Sequence, residues 1–296
     1  MLTIKNLTKK YPNSDKDAVE NLSFSLNEGE IFGFLGKNGA GKSTTIKCIT
    51  GILPFDSGEI TVCGHSIKTD PIKAKFSMGY VPDNHSVYEK LTGKEYVYYV
   101  ADLYKVSRED RKMRFDYFID LFKLRDASDT QIKSYSHGMK QKICIIAALI
   151  HEPKLWVLDE PMMGLDPQST AEIVAYMKEH CRKGNTVFFS SHNLDLVKKL
   201  CHRAAIINDG KLVDIMQLSG HPENKANLEE KFFRVTGTFD KRLLTDLPEE
   251  EEEVYRRGNG YGLRGNEDEG VKAMKMRYNK NYYPKPRNDI KTDGGR

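Results

Sequence analysis

A glycine-rich segment carries the clearest chemistry in this chain. Residues 36–43 read GKNGAGKS and fit the pattern G-x-x-x-x-G-K-[ST] between an apolar strand and a helix. Glycines let backbone N–H groups turn toward a triphosphate, the Lys42 ammonium neutralises β- and γ-phosphates, and the Ser43 hydroxyl suits Mg²⁺. The sequence therefore predicts a triphosphate site formed by Gly36, Asn38, Gly39, Ala40, Gly41, Lys42, Ser43 and Thr44.

Two adjacent carboxylates end a second apolar run, LWVLDE at residues 155–160. Successive side chains of an extended strand point to opposite sides, so Asp159 can face a metal while Glu160 faces an attacking water. Behind a phosphate loop, this arrangement predicts a metal ligand at Asp159 and a general base at Glu160.

The elements that must position these groups alternate between strands and helices. Residues 1–35 read as strand, turn and strand, ending in the uninterrupted apolar IFGFL that is typical of a strand buried on both faces. An α/β domain with a mostly parallel sheet follows, interrupted by a helical insert at about 86–150. Further strands are predicted at 57–63, 78–83, 154–161, 186–192 and 203–209, and helices at 167–183 and 194–201.

Composition limits the class of protein. With 296 residues, 39% of them hydrophobic, the chain can bury a sizeable core. No apolar stretch approaches the roughly 18 to 20 residues of a membrane helix, and the N-terminal segment lacks a secretory signal, so we expect a soluble cytosolic protein. Five cysteines without C-x-x-C spacing predict reduced thiols, most of them buried, and a net charge of +4 does not by itself indicate nucleic acid binding.

Three further motifs show a family resemblance. YSHGMKQK at 135–142, LWVLDEPMMGLDP at 155–167 and SSH at 190–192 follow the phosphate loop in the order and spacing of ABC transporter ATP-binding subunits. The resemblance covers about residues 1–218 and is strongest to exporter ATPases of the ABC-2 type, which include drug, antibiotic and sodium exporters.

The resemblance implies an ATPase with a defined architecture. We expect a P-loop NTPase with a mostly parallel central sheet, an N-terminal antiparallel β-subdomain and an α-helical signature subdomain. ATP and Mg²⁺ are the implied cofactors. The implied partners are a second nucleotide-binding subunit, identical or different, and transmembrane permease subunits that hold the chain at the cytoplasmic side of the cell membrane; no nucleic acid partner is expected.

The signature segment has both a local and a family interpretation. Ser136 can cap the helix that follows, and Gly138 gives the backbone freedom in the turn. In the family this helix end closes over the ATP held by a second subunit, so the resemblance implies that Ser136 and Gly138 contact ATP across a dimer. His137 stands where the family usually has glycine.

Other positions acquire expected roles one at a time. Tyr11 matches the aromatic residue that stacks on adenine, and Val19 an aliphatic residue that supports the nucleotide. Asp166 matches the loop that contacts the opposite subunit's site, and His192 the histidine at the γ-phosphate. Asp83 replaces a glutamine, so it either contacts the metal through water or leaves coordination to other groups.

Several questions stay open at the level of sequence. Residues 88, 89 and 91 (Tyr88, Glu89 and Leu91) fit either contact with the membrane partner or local packing, whereas residues 96, 97 and 99 are expected to belong to an ordinary helix with a core face and an exposed polar face. Residues 219–245 are predicted to form a helical appendage and 246–296 an acidic, then basic, disordered tail. The alternative functions are a soluble ABC ATPase acting on ribosomes or DNA, and a regulatory subunit that binds ATP without hydrolysis.

Overall fold

The computed structural model describes residues 1–12, 14–84 and 87–237. The predicted tail at 246–296 lies outside the described residues, as does the end of the predicted appendage. The domain boundaries therefore stay predictions.

A six-stranded sheet forms the centre of the molecule. Its order is β10-β9-β3-β8-β7-β6, and the five strands from β9 to β6 run parallel while β10 pairs antiparallel with β9. β3, β7 and β8 are buried along their whole length, as expected for parallel strands covered on both faces. The strands are β3 (Ile31–Leu35), β6 (Met78–Val81), β7 (Leu155–Leu158), β8 (Thr186–Ser191), β9 (Arg203–Asn208) and β10 (Lys211–Gln217).

An antiparallel sheet of four strands precedes and flanks the central one. Its order is β2-β1-β4-β5, and its strands alternate between buried and exposed residues. The strands are β1 (Leu2–Lys10), β2 (Asp17–Leu26), β4 (Ser57–Val62) and β5 (His65–Ser66). The expected α/β class with its antiparallel β-subdomain is thus confirmed.

Eight α-helices occur in the described residues. They are α1 (Lys42–Ile49), α2 (Pro71–Phe76), α3 (Gly93–Leu103), α4 (Arg108–Leu121), α5 (His137–Leu149), α6 (Pro167–Arg182), α7 (Leu194–Leu200) and α8 (Pro222–Thr236). Helices α3 and α4 pack against α5 and form the helical signature subdomain. Among the described residues, no helix has the length and apolar character needed to cross a membrane.

Residues 96, 97 and 99 divide between a buried and an exposed side of α3, as expected for a helix with a core face and an exposed face. Val97 is fully buried and Tyr96 is partly buried against the core, but Tyr99 is 43% exposed. The ring of Tyr99 lies on the outer side of α3, edge-on to the ring of Tyr88 at a centroid distance of 5.6 Å.

The described residues form two hydrophobic cores. One contains Trp156 of β7, which is fully buried next to Tyr176 of α6. The other contains a cluster of aromatic rings from β2, β3 and β8 (Phe24, Phe32, Phe34 and Phe188). All five cysteines are free thiols, and four of them are buried. The loops that follow β3 and β8 thus begin at strands in which every residue is buried.

Candidate functional site

The phosphate loop runs from the end of β3 to the start of α1. Gly41 has a φ of 103°, and a Cβ at this position would lie 2.5 Å from the carbonyl oxygen of Ala18. A Cβ on Gly36 would lie 2.7 Å from the carbonyl oxygen of Ile207. Since real Cβ atoms do not approach backbone oxygen that closely, both glycines are required for the loop to pass between β2 and β9.

The N-terminus of α1 is prepared for an anion. Gly41 caps the helix in a left-handed conformation, and no side chain of the described residues caps it. The first N–H groups of α1 are therefore available to donate to a ligand at the positive end of the helix dipole. Lys42 is buried, and its Nζ donates to the carbonyl oxygens of Gly36 at 2.7 Å and Lys37 at 3.2 Å. A triphosphate in the loop would offer the same ammonium stronger, charged acceptors.

The Glu160 carboxylate lies between two cationic or potentially cationic groups. Its Oε1 is 3.2 Å from Nζ of Lys42, and its Oε2 is 3.0 Å from Nδ1 of His192. The predicted alternation of side chains along a strand does not set the direction of Glu160. The strand β7 ends at Leu158, and Glu160 has a φ of 47°. A left-handed turn after the strand separates the two carboxylates, and such a conformation in a non-glycine residue is typical of functional sites.

Asp159 is fully buried beside this turn. Its Oδ1 accepts a hydrogen bond from Ser190 Oγ at 2.6 Å, whereas its Oδ2 has no hydrogen-bond donor among the described residues. Burial raises the pKa of the Asp159 carboxyl, the hydroxyls of Ser190 and Ser43 oppose this, and the charges of Asp83 and Glu160 add to it. A bound cation would satisfy the unpaired oxygen and offset the cost of burying the charge.

The groups around Asp159 fit Mg²⁺ in a nucleotide complex. Within the described residues no group of three His, Cys, Asp or Glu side chains could hold a metal alone. Mg²⁺ is commonly held by one or two protein ligands together with substrate phosphates, and Asp159 with the Ser43 hydroxyl is such a set. Asp83 follows β6, is exposed, and accepts a hydrogen bond from the Asn84 amide at 2.8 Å. Its charge acts on Asp159, which places it at the edge of this site.

The proposed adenine contact lies at the end of β1. Tyr11 is 40% exposed, and its hydroxyl is 3.3 Å from Oγ1 of Thr44 on α1. Val19, expected to support the nucleotide, has no exposed surface and packs in the aromatic core. Val19 pairs with Lys9 of β1 across the antiparallel ladder, and its support of the nucleotide stays a prediction.

The signature helix α5 begins beside the loop that follows Glu160. Ser136 is exposed, and its Oγ accepts a hydrogen bond from the Met139 amide at 3.3 Å, so the expected cap is present. Two side chains of the first turns hold the loop: Gln141 Nε2 donates to the Pro161 carbonyl at 2.9 Å, and His137 Nε2 lies 3.2 Å from the Met163 carbonyl. His137 therefore fills the space above that loop with an imidazole ring.

Two further predicted positions lie near this loop. A Cβ on Gly138 would lie 3.5 Å from Leu165, so the glycine faces the loop at ordinary contact distance. Asp166 caps α6 and accepts hydrogen bonds from the Ser169 amide at 2.9 Å and the Ser169 hydroxyl at 2.6 Å. Both carboxylate oxygens of Asp166 are thus used within its own chain.

Sequence reasoning missed Ser190 and Gln141. Ser190 donates to Asp159 and accepts a hydrogen bond from the Glu160 amide at 2.9 Å, so it orients both carboxylate residues. A buried serine pair in the otherwise apolar TVFFSS is the signal that could have indicated it, because a buried hydroxyl requires a partner. Gln141 gives no such signal, since its amide follows an ordinary helix start.

Comparison with known proteins points to one family. The family model described as "ABC transporter" matches residues 19–163. The linearmycin resistance ATP-binding protein LnrL of Bacillus subtilis is 40% identical over 215 residues, which are 73% of this chain and 68% of that protein.

Two other similarities extend the same result. The SkfA peptide export ATP-binding protein SkfE of Bacillus subtilis is 32% identical over 237 residues, covering 80% of this chain and 97% of that protein. The structure of an ATP-binding subunit of an ABC transporter is similar to this chain with a TM-score of 0.74 at 30% identity, covering 80% of this chain and 99% of that one.

ABC ATPases bind ATP with Mg²⁺ and work as dimers with membrane permease components. The homologues of this chain include export-type proteins. This chain belongs to the ABC transporter family as an ATP-binding subunit, and it is an ATPase.

Proposed function

We propose that this chain dimerises around two Mg-ATP and drives export through separate permease subunits. The observation that carries the proposal is the position of Glu160. Its carboxylate lies beside the phosphate loop between Lys42 and His192, while the exposed Ser136 stands at the N-terminus of α5. One chain thus contains the hydrolytic half of one site and the covering half of another.

In this proposal the residues of the phosphate loop bind and Glu160 acts as the base. The Lys42 ammonium leaves the carbonyl oxygens of Gly36 and Lys37 and binds the β- and γ-phosphates instead. The N–H groups at the start of α1 donate to the same phosphates. Bound Mg²⁺ would neutralise charge that develops on the phosphates. Glu160 accepts a proton from water as its oxygen attacks the γ-phosphorus, and the bond to ADP breaks. His192 holds the Glu160 carboxylate in place and stabilises charge at the transferred group.

The second subunit contributes the signature helix. Ser136 and Gly138 stand at the N-terminus of the 13-residue α5, where dipole and free N–H groups favour an anion. The proposal is that they cover the γ-phosphate bound to the partner's loop and that Asp166 approaches the same site. Because the base and the covering helix belong to different chains, ATP joins the two halves and hydrolysis separates them.

Contact with the permease is proposed at the start of the helical subdomain. Tyr88 is 60% exposed and its ring meets that of Tyr99, so two aromatic side chains form an exposed pair. Glu89 accepts a hydrogen bond from Lys140 of α5 at 2.5 Å, and Leu91 accepts one from the Ile132 amide through its carbonyl. A movement imposed on this segment would reach the signature helix through Glu89 and Lys140.

Export is the direction of transport that the similarities favour. One relative is named for resistance to linearmycin and another for export of a peptide. We propose that this chain serves an exporter of the same broad class. A role on ribosomes or DNA, or as a subunit that does not hydrolyse ATP, is not favoured, since the similar proteins named above are transporter ATPases.

The test is the variant Glu160→Gln. Glutamine keeps the shape of the side chain but cannot accept the proton, so we expect ATP binding to persist and turnover to fall by about 100-fold or more. The variant should elute as a dimer in size-exclusion chromatography with Mg-ATP and as a monomer without it. Wild-type protein is measured in parallel.

The matched control is Glu179→Gln, which removes an exposed carboxylate from α6. It should hydrolyse ATP like wild type and should not form a trapped dimer. Normal turnover in Glu160→Gln would refute the assignment of the base. A Glu160→Gln protein that binds ATP yet stays monomeric would refute the composite site.

A further inference from the structure

The carboxylate of Asp56 holds the end of β1, next to the proposed adenine contact. Asp56 lies in the connection between α1 and β4, and its Oδ2 accepts a hydrogen bond from the Lys10 amide at 2.6 Å. The Asp56 amide in turn donates to the Thr8 carbonyl at 3.0 Å. Asp56 therefore both accepts a hydrogen bond from the backbone of β1 and donates one to it. Lys10, whose amide it binds, is the residue directly before Tyr11.

These bonds replace a strand partner that β1 lacks at this end. On the β4 side the ladder stops at the pair Thr8 and Ser57, whereas on the β2 side it continues to the pair Lys10 and Asp17. An amide at the open edge of a strand needs an acceptor, which water or a side chain has to supply. The Asp56 carboxylate supplies it and fixes the backbone that leads into Tyr11.

The same carboxylate neutralises a buried cation. Lys9 is only 8% exposed, and its Nζ is 3.5 Å from Oδ1 of Asp56. A charged ammonium in such a position requires a nearby opposite charge. The Lys10 amide, together with Lys9, lowers the pKa of the Asp56 carboxyl, so Asp56 is ionised at neutral pH and accepts from both groups.

Two hydrogen bonds position Tyr11, one from its own side chain and one from the residue before it. The Tyr11 hydroxyl lies 3.3 Å from Oγ1 of Thr44 in the first turn of α1, and the amide of the preceding residue, Lys10, donates to Asp56 in the connection that follows α1. Since α1 begins at the phosphate loop, the ring and the loop share one support. Thr8, Lys10, Tyr11 and Asp56 also line one concave surface, where a base could lie against the ring.

We propose that Asp56 is a positioning residue for Tyr11, which sets the aromatic ring at the place of the adenine before ATP arrives. The inference rests on the proposed adenine contact of Tyr11. In this assignment Asp56 acts on the base through Tyr11 and does not contact the phosphates. Its loss should therefore weaken recognition of the base and leave recognition of the phosphates intact.

The experiment compares equilibrium binding of Mg-ATP with that of Mg-tripolyphosphate, which has no base. Stacking of a base on an aromatic side chain is worth about 5- to 150-fold in affinity. Asp56→Ala should weaken Mg-ATP by about 3- to 10-fold, a part of that stacking term, and leave tripolyphosphate unchanged. Asp56→Asn keeps an oxygen acceptor for the Lys10 amide and should retain most of the affinity. The control Glu59→Ala removes a nearby exposed carboxylate of β4 and should bind both ligands like wild type.

A double variant separates positioning from general damage. In a Tyr11→Ala background the further change Asp56→Ala should alter ATP affinity by less than about twofold, because the ring it positions is gone. Equal losses for ATP and tripolyphosphate, or the same loss with and without Tyr11, would overturn the inference. If Tyr11→Ala alone leaves ATP affinity unchanged, the adenine contact is wrong and the inference fails with it. None of these readouts depends on turnover or dimerisation, which test the proposed function separately.

Discussion

The general base takes its position from side chains on other elements. Glu160 lies in a left-handed turn, a conformation that costs a non-glycine residue of the order of 1 kcal/mol. Ser190 on β8 contributes to holding that turn, because its hydroxyl accepts from the Glu160 amide while it donates to Asp159. One hydroxyl thus fixes the proposed metal ligand and the proposed base relative to each other.

Removing this hydroxyl should reduce catalysis more than binding. In Ser190→Ala the Asp159 carboxylate loses the hydroxyl that donates to its Oδ1, and the Glu160 amide loses its acceptor. Loss of a group that orients a metal ligand typically costs about 10- to 100-fold in metal affinity or activity. We expect kcat to fall within that range and the Mg²⁺ concentration for half-maximal ATPase to rise, both measured by phosphate release.

A matched control for this variant is Ser77→Ala. Ser77 also donates one hydroxyl hydrogen bond, to the Lys73 carbonyl at 3.0 Å, but it lies at the end of α2, which carries none of the proposed site residues. Its kinetics should match wild type. An unchanged Mg²⁺ dependence in Ser190→Ala would show that Ser190 only fills space in the core.

Residues whose roles follow from local motifs could be predicted, and residues whose roles follow from distant contacts could not. Lys42, Ser43, Asp159 and Glu160 belong to short patterns with known chemistry. Ser190 and Asp56 act on residues that are 31 and 46 positions away in sequence. The serine pair in TVFFSS indicates that Ser190 needs a partner but not which one, and no local signal marks Asp56. The direction of the Glu160 side chain could not be predicted from the sequence either, because the strand and its alternation end at Leu158.

At the scale of elements, the start of α5 combines a structural and a proposed functional role. Ser136 caps α5 as Thr92 caps α3, and each side chain accepts from the amide three residues later. Loss of a cap costs about 1 kcal/mol. Ser136→Ala and Thr92→Ala should therefore lower the free energy of unfolding by similar amounts, measured in urea, but only Ser136→Ala should weaken the ATP-dependent dimer of a Glu160→Gln background.

Thr92→Ala is the control in this comparison because it reproduces the loss of a cap on a helix of the same subdomain. Equal effects of the two variants on the dimer would mean that Ser136 serves only as a cap. An effect confined to Ser136 would support its contact with ATP across the dimer.

Elements with strong periodicity could be predicted within one or two residues, and weak ones could not. β8 was expected at 186–192 and is Thr186–Ser191, because its apolar run has no interruption. β10 (Lys211–Gln217) and α2 (Pro71–Phe76) were not predicted. β10 lies at the edge of the sheet with mostly exposed or half-buried residues, and α2 has six residues, too few for a helical period to show.

At the scale of the whole molecule, two buried histidines link stability to pH. His180 of α6 is 3% exposed, its ring lies 5.8 Å from that of Trp156, and burial lowers its pKa from 6.5 to about 4. His151, stacked on Tyr104 at 3.7 Å, has its pKa lowered to about 4 by burial as well. In the unfolded chain both take up a proton below about pH 6.5, but in the folded chain only below about pH 4. The two histidines therefore leave folding stability unaffected above about pH 6.5 and reduce it progressively as pH falls toward 4.

Replacing one of the two histidines should reduce this acid sensitivity. His180 Nε2 is buried with no hydrogen-bond partner among the described residues, so His180→Leu removes an unpaired polar atom as well as a titrating group. We expect the free energy of unfolding of the variant to fall less steeply than that of wild type between pH 6.5 and 4.5, by up to about 1.4 kcal/mol per pH unit. Urea unfolding at several pH values measures this, with His221→Gln, a half-exposed site, as control. Parallel pH profiles for His180→Leu and wild type would show that His180 is not buried in its neutral form. If the slope is reduced as expected, the pH dependence that remains in the variant belongs to His151 and other groups.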